Sequence, residues 1–387
     1  MIARRVLACA VVAVGLLASA CAPQEAVVEV PEVDTTMIGG YRTDPARAGG
    51  ASGSIGDRPE LEYRIDGTEP VTASPVLVGD TGFVPDGSGQ LVAFVVSTGE
   101  VLWRTSIGEA DASVVASVDS IFSVSGAGIV RRHDPGTGDI AWEADLDGAC
   151  RSSPLLYDGV LWVAVGDELT LLDPSTGVRL NSIALQAPAD SSPAASGEAI
   201  VIGTRSNTLA FVDVRSFDVE LVPLPAASRA MTTYADGVAA TPVISGGSVY
   251  VGSTTGVLVS ASLSGEIHWL VDVESPIYGT VAIGDGIGFV PTGSGRMIAF
   301  DLENGEVRWS AELGEAAYSS PVLVDGVVLA TAENGRLFAL DSESGRELWS
   351  VEFGEPGNYM ASTPAVSGSL VVVGSNDGSI VAVDTDR

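Results

Sequence analysis

The sequence contains no lysine: all 19 basic side chains among its 387 residues are arginines, set against 50 carboxylates for a formal net charge of −31. Without lysine there can be no G-x-x-x-x-G-K-[ST] phosphate loop, no Schiff-base amine and no kinase-type lysine. An acidic surplus of this size repels phosphate, which excludes nucleic acid as a partner. Histidine is nearly as scarce. His133, beside Asp134, and His268, beside Trp269, stand far apart in the chain, so a histidine metal site or a serine triad would have to be built on one of them. Both read as structural strand or turn residues, and no catalytic residue, metal ligand or cofactor is expected from this set. Cysteine is limited to Cys9, Cys21 and Cys150. Cys150 is expected to be a small buried residue, and the chain beyond Cys21 has no second thiol with which to form an intramolecular disulfide.

The amino-terminal stretch has a logic of its own. Arg4 and Arg5 precede an apolar run, Val6 to Leu17, that is too short to cross a bilayer, and Ala18-Ser19-Ala20-Cys21 follows with small side chains before a cysteine. Residues 1–21 resemble a bacterial lipoprotein signal, which implies export and acylation of Cys21, although the usual leucine three residues before the cysteine is replaced by Ala18. Cleavage as an ordinary secretory signal is the alternative, and either outcome places the rest of the chain outside the cytoplasm. Residues 22–58 mix Pro23, Pro31 and Pro45 with Gly39, Gly40, Gly49, Gly50, Gly53 and Gly56 and show no sustained period. This composition reads as a flexible tether with a root-mean-square reach of roughly 35 Å.

From residue 59 to 387 the chain repeats. Trp103, Trp142, Trp269, Trp309 and Trp349 each stand four residues after a glycine, namely Gly99, Gly138, Gly265, Gly305 and Gly345. Twelve residues after Trp142 and Trp309 come Pro154 and Pro321. Asn181 and Tyr63 keep the same distance to Pro193 and Pro75, and Val115 and Val281 are read in the proline phase. A period near 40 that holds four short β-rich runs separated by turn dipeptides such as Asp325-Gly326 and Asn334-Gly335 marks a β-propeller. The predicted fold is all-β, with eight blades of four antiparallel strands. Seven blades would follow if the long fourth copy, between Pro193 and Pro242, were not a complete blade. The last copy stops after three strands, while Glu60 to Gly67 reads as a lone fourth strand, so the ring is expected to close by pairing that strand with the carboxy-terminal blade and to leave no free sheet edge at the seam. A closed ring of this kind is expected to be monomeric.

Ala299-x-Asp301-x-x-x-Gly305-x-x-x-Trp309 and Ala339-x-Asp341-x-x-x-Gly345-x-x-x-Trp349 resemble the tryptophan-docking repeat of the pyrroloquinoline-quinone-type propellers. The resemblance covers about residues 59 to 387 and implies that the five tryptophans are structural, each packing on a neighbouring blade. Quinone-dependent dehydrogenases of that family hold their cofactor with calcium, an acidic base and often a vicinal cysteine pair. This chain lacks the cysteine pair, and a quinone-dependent oxidoreductase or small-ligand-binding propeller is the second reading. The nearer resemblance is to the lipid-anchored propellers of the outer-membrane β-barrel assembly machinery, which implies a non-enzymatic scaffold that meets an envelope or membrane protein. The two longest connections between copies fall at Val222 to Gly237 and Glu355 to Ala361, in equivalent places, and are expected to emerge on one face of the disc. They carry Arg229, Met231, Tyr234, Tyr359 and Met360, residue types enriched where proteins meet, and these are the expected partner-binding residues.

Overall fold

The computed structural model describes Ile38, Gly39, Asp44 and residues 47–225, 237–357 and 362–387. Alternating apolar side chains, interrupted every few residues by glycine or aspartate turns, leave these residues little choice but short antiparallel strands. They assemble into eight blades of four strands, seven of them simple meanders from the channel outward, and one blade gains a short fifth strand at its inner edge. Blade 1 is representative: Val76–Val78, Thr81–Pro85, Gln90–Val95 and Val101–Ser106. The two middle strands are buried on both faces, and the outermost alternates between exposed and half-buried residues. The long fourth copy is a complete blade, Ala194–Ser196 through Val219–Pro223, so the count is eight and not seven.

Blades meet face to face, and the core is divided accordingly. Among the described residues there are eight apolar clusters, and each is shared by one pair of neighbouring blades. The eighth blade is assembled from both ends of the chain. Glu60–Ile65 is its outer strand, with Tyr63 opposite Ala382 and Arg64 opposite Val381. This is the closure expected from the sequence. It removes the free edge at which an open array of sheets would pair with another chain.

All first strands run from one face of the disc to the other, so the two faces differ. One carries the turns between first and second strands, such as Val118-Asp119, and is called the hairpin face. The other carries the connections from each blade to the next, and is called the connection face. Both long connections start and finish on the connection face, after Val219–Pro223 and after Glu347–Glu352.

The stretch 22–58 differs from a spacer wherever it is described. Ile38 and Gly39 pair antiparallel with Ser117 and Ala116, adding a fifth strand to the inner edge of blade 2. The chain then returns in the opposite direction. Ala48 O accepts from Ile283 N–H, Gly49 O accepts from Leu323 N–H, and Ala51 N–H donates to Leu323 O, on the inner strands of blades 6 and 7. Ser54 N–H reaches Gly368 O at a turn of the hairpin face, and Arg58 N–H reaches Thr385 O. Residues 47–51 therefore line the central channel, and residues 53–58 run outward across the hairpin face to the closing strand, so this threaded segment belongs to the ring. The glycines that suggested flexibility are there for close approach: a Cβ on Gly53 would lie 2.5 Å from Gly368 O, and one on Gly56 2.1 Å from Thr385 O.

Candidate functional site

The five tryptophans define the contact between blades. Trp103 Nε1 donates to Pro135 O at 3.0 Å, Trp142 to Pro174 O at 3.1 Å, Trp269 to Leu302 O at 3.0 Å and Trp309 to Ser342 O at 3.0 Å, each acceptor lying in a turn of the next blade. The indole lies flat on that turn's glycine. A Cβ on Gly138 would sit 2.6 Å from the Trp103 ring, and one on Gly345 2.5 Å from Trp309, while both glycines hold φ near +70° to +75°. Trp349 finds its acceptor in the threaded segment, at Gly56 O, 2.8 Å away. Tyr63 does the same duty at the seam, donating to Val96 O and resting on Gly99. Blades 3 and 4 break the pattern together. Blade 3 has Asn181 in the tryptophan phase, and the glycine it would have covered is replaced by Phe217 at φ 61°. Blade 4 has no tryptophan either, and Val222 covers Gly265 in its place.

Nearer the axis, a second device circles the channel. The backbone N–H of Ser74 donates to Ser113 Oγ, that of Ser113 to Ser153 Oγ, that of Ser153 to Ser192 Oγ and that of Ser192 to Thr241 Oγ1. Thr241 continues to Thr280, Thr280 to Ser320, Ser320 to Thr363, and Thr363 returns to Ser74. Eight hydroxyls, one per blade and each between 2.9 and 3.2 Å from its donor, form a closed circle. The circle corrects one register: the residue equivalent to the prolines in blade 2 is Val114, after Ser113, and not Val115. The sequence signal was a Ser/Thr-Pro dipeptide in six of the copies, from Ser74-Pro75 to Thr363-Pro364.

Just inside the circle lies Arg47, 1% exposed, with φ 62°. Its Nε donates to Pro193 O at 3.2 Å and a terminal nitrogen to Pro154 O at 3.1 Å. Just outside the circle is the mouth of the channel on the connection face, a hollow of about 180 Å³. Its rim is set by the residues two positions before the hydroxyls of blades 1 to 7. Thr72, Asp111, Arg151 and Asp190 make one half polar, with Thr72 Oγ1 donating to Asp111 and Arg205 gripping Asp190 through two bonds of 2.6 and 2.8 Å. The other half carries Tyr278 and Tyr318, packed edge to face with ring centres 5.1 Å apart. Reading the sequence by loop length alone missed this pair. The expected partner residues Arg229, Met231, Tyr234, Tyr359 and Met360, and Cys21, lie outside the described residues, but the described ends of both long connections flank the tyrosines on the same face.

The remaining reactive groups are internal. His133 is fully buried; its Nδ1–H donates to Gly138 O and its Nε2 accepts from Ser123 Oγ at 2.8 Å. Burial pushes the imidazole down to about 4. Cys150 is buried and burial pushes its thiol up to about 11, far from a thiolate nucleophile. Asp173, Asp301 and Asp341 accept hydrogen bonds in their own turns and are held below the usual carboxylate range, with side-chain hydrogen bonds from Ser175, Arg308 and Ser344 as the leading causes.

A quinone with calcium, the group held by some propellers of this shape, does not fit these residues. Among the described residues no three Asp, Glu, His or Cys side chains gather as a ligand set. The mouth is smaller than the roughly 300 Å³ at which cofactor pockets begin, and Arg47 of the threaded segment stands directly behind it. A larger cavity of about 510 Å³ lies deeper, between the threaded segment and the inner strands of blades 7, 8 and 1, but it is lined by backbone, small apolar side chains and hydroxyls, with no ionisable side chain.

Solved structures that share the fold include BamB from Moraxella catarrhalis, at 15% identity over 84% of this chain and 99% of that one with a TM-score of 0.69. The computationally designed Ika8 protein matches at 15% identity over 84% and 99% with a TM-score of 0.70. Quinohemoprotein alcohol dehydrogenase from Comamonas testosteroni matches at 12% identity over 90% and 80% with a TM-score of 0.74. At such identities these likenesses speak for the fold alone. No curated protein matches by sequence. The family described as outer membrane protein assembly factor BamB, however, matches residues 66–120, 110–263 and 256–387, all eight blades, and the chain belongs to that family.

Proposed function

We propose that the protein is a non-catalytic scaffold of the cell envelope, attached to a membrane through acylated Cys21, that holds a protein partner on its connection face. The observation that carries the reading is the aromatic arc. Going round the ring, the long connection after blade 4, Tyr278, Tyr318 and the long connection after blade 7 are consecutive, and all lie on one face. Tyrosine supplies large, rigid contact area with a polar tip, and loops on a rigid frame are where binding residues concentrate. The family match supports a role in an assembly, and the carboxylates at the mouth are engaged structurally, Asp190 by Arg205 and Asp111 by Thr72.

Affinity capture from crosslinked envelope membranes tests it. The parent chain is compared with a variant carrying Tyr278→Ala, Tyr318→Ala, Arg229→Ala, Tyr234→Ala and Tyr359→Ala, and with a rim control, Val178→Ala with Leu180→Ala. The expected result is loss of a specific co-purifying protein from the first variant only. Retention of every partner by that variant, or turnover of an alcohol or sugar by the parent chain supplied with pyrroloquinoline quinone and calcium, would remove the proposal.

A further inference from the structure

The seam between blades 4 and 5 lacks its indole but keeps the parts that hold one elsewhere. In seven of the eight blades the outer strand carries a β-bulge against the third strand, and the residue after the bulge is the tryptophan or its substitute. Blade 4 pairs Val212 with Val219 and Phe211 with Glu220 without a bulge, so it is one residue short here. An exposed glutamate, Glu220, therefore stands in the register place of the ring. On the blade 5 side, Gly265 keeps φ +78°. Val222 reaches that glycine as Val271 reaches Gly305 one seam further on, but Gly305 is also covered by Trp269, whereas Gly265 has no indole on it. Leu263 follows the third strand of blade 5 as Leu302 follows that of blade 6. Leu302 O accepts the Trp269 N–H, while Leu263 O accepts no hydrogen bond among the described residues. The seam between blades 3 and 4 also lacks tryptophan, but there Phe217 replaces the docking glycine itself.

We propose that this seam is a second binding site, in which a tryptophan side chain of a partner protein, flanked by basic residues, completes the dock that blade 4 leaves unfilled. A cavity of about 470 Å³ lies there, bounded by Phe211, Glu220 and Leu263 and by the hairpin-face turn at Ser196. It is large enough for a side chain of this size. Phe211, 5% exposed, gives it an apolar wall, and Leu263 O gives the N–H of an indole the acceptor that the equivalent carbonyls give at the occupied seams. A leucine or phenylalanine would fill the space and leave that carbonyl bare. The chain has no ring to spare for a second copy of itself: of its six tryptophans five are docked, and Trp162 is 2% exposed and bonded to Tyr157 O. Charge selects the flanks. Glu198, Asp213, Asp218 and Glu220 border the cavity against one arginine, Arg215, which pairs with Glu198 at 2.7 Å. This surplus favours a basic segment and steers it in. The cavity is on the hairpin face, away from the mouth, so the site does not rest on the partner proposed for the connection face.

A peptide titration tests the site without knowledge of the natural partner. The probe is a blocked tripeptide of arginine, fluorotryptophan and arginine, added to the purified protein and followed by fluorine NMR. The expected result is a saturable shift that unlabelled Arg-Trp-Arg reverses, and that Arg-Leu-Arg and Glu-Trp-Glu reverse only at several-fold higher concentration. Glu220→Trp, which supplies a ring from blade 4 itself, and Ser196→Leu, which narrows the cavity from its other wall, are each expected to weaken the probe several-fold. Absence of a saturable shift overturns the inference, as does equal displacement by either control peptide. A shift that survives both substitutions, or that is lost instead on Tyr278→Ala with Tyr318→Ala, places the peptide elsewhere and overturns it too. If one cavity variant fails to fold by circular dichroism, the other and the displacement series in the parent chain still decide.

Discussion

Thr241→Val removes one hydroxyl from the circle around the channel while keeping the side chain's shape. Thr241 is 5% exposed and its Oγ1 accepts from Ser192 N–H at 3.1 Å; Ser192 is 6% exposed, so the orphaned donor has no ready access to water. Losing the partner of a buried backbone N–H costs about 1–3 kcal/mol, whereas an ordinary exposed side-chain hydrogen bond contributes about 1 kcal/mol or less. Unfolding entropy of about 2.1 cal/mol/K per residue over roughly 330 residues is near 0.7 kcal/mol/K, so 2 kcal/mol appears as only about 3 °C in Tm. Urea unfolding followed by tryptophan emission is the better assay, because the docked indoles report on the blade interfaces themselves. Ser74→Ala, which strands Thr363 N–H across the seam between the chain's two ends, is expected to cost a similar amount. Ser97→Ala, an exposed hydroxyl that bonds Asp80, is the control and is expected to change stability by less than about 0.5 kcal/mol. If Thr241→Val and Ser74→Ala unfold at the same urea concentration as Ser97→Ala, the circle is a geometric by-product and contributes nothing to holding the ring.

Trp103→Ala, which empties the contact with Gly138 and leaves Pro135 O without its donor, is expected to destabilise by about 3–5 kcal/mol, checked by chemical denaturation. Phe217→Gly is expected to stabilise by about 1 kcal/mol, because a half-exposed phenylalanine at φ 61° occupies a backbone region that suits glycine; a lower unfolding midpoint would show that the ring packs usefully there. His133 binds a proton in the unfolded chain below about 6.5 but in the folded chain only below about 4. Stability is therefore complete above pH 6.5 and declines as the pH falls through that window, by about 3 kcal/mol in total at 1.36 kcal/mol per unit. His133→Asn should flatten this part of the stability–pH curve, and an unchanged slope would assign acid sensitivity to the carboxylates instead.

What the sequence revealed and what it hid follow from range. Tryptophan and its glycine sit four residues apart in one copy, so the repeat and the blade count are visible locally, and Tyr63 in the tryptophan phase exposes the closing strand. The hydroxyl circle joins residues 39 to 49 positions apart and returns from Thr363 to Ser74, so no window of sequence contains one of its bonds. The one-residue error at Val115 has the same origin: with no proline in blade 2, only the circle identifies Ser113 and hence Val114. Residues 47–58 look like a linker because glycine spacing is read as freedom. Here it reflects confinement, and the partners, Leu323, Gly368 and Thr385, lie hundreds of residues away. Tyr278 and Tyr318 were legible in principle, each two places before a ring hydroxyl, but that position had no meaning until the mouth was seen.

Because Glu60–Ile65 is made first and its mate Ile380–Asp384 almost last, the toroid stays open until nearly the whole polypeptide has been delivered. A ring without Ile380–Asp384 leaves Glu60–Ile65 without its partner strand and presents a free sheet edge. Pairing of Ile380–Asp384 with Glu60–Ile65 thus couples the two ends of the ring, and the seam holds only while both strands are in place.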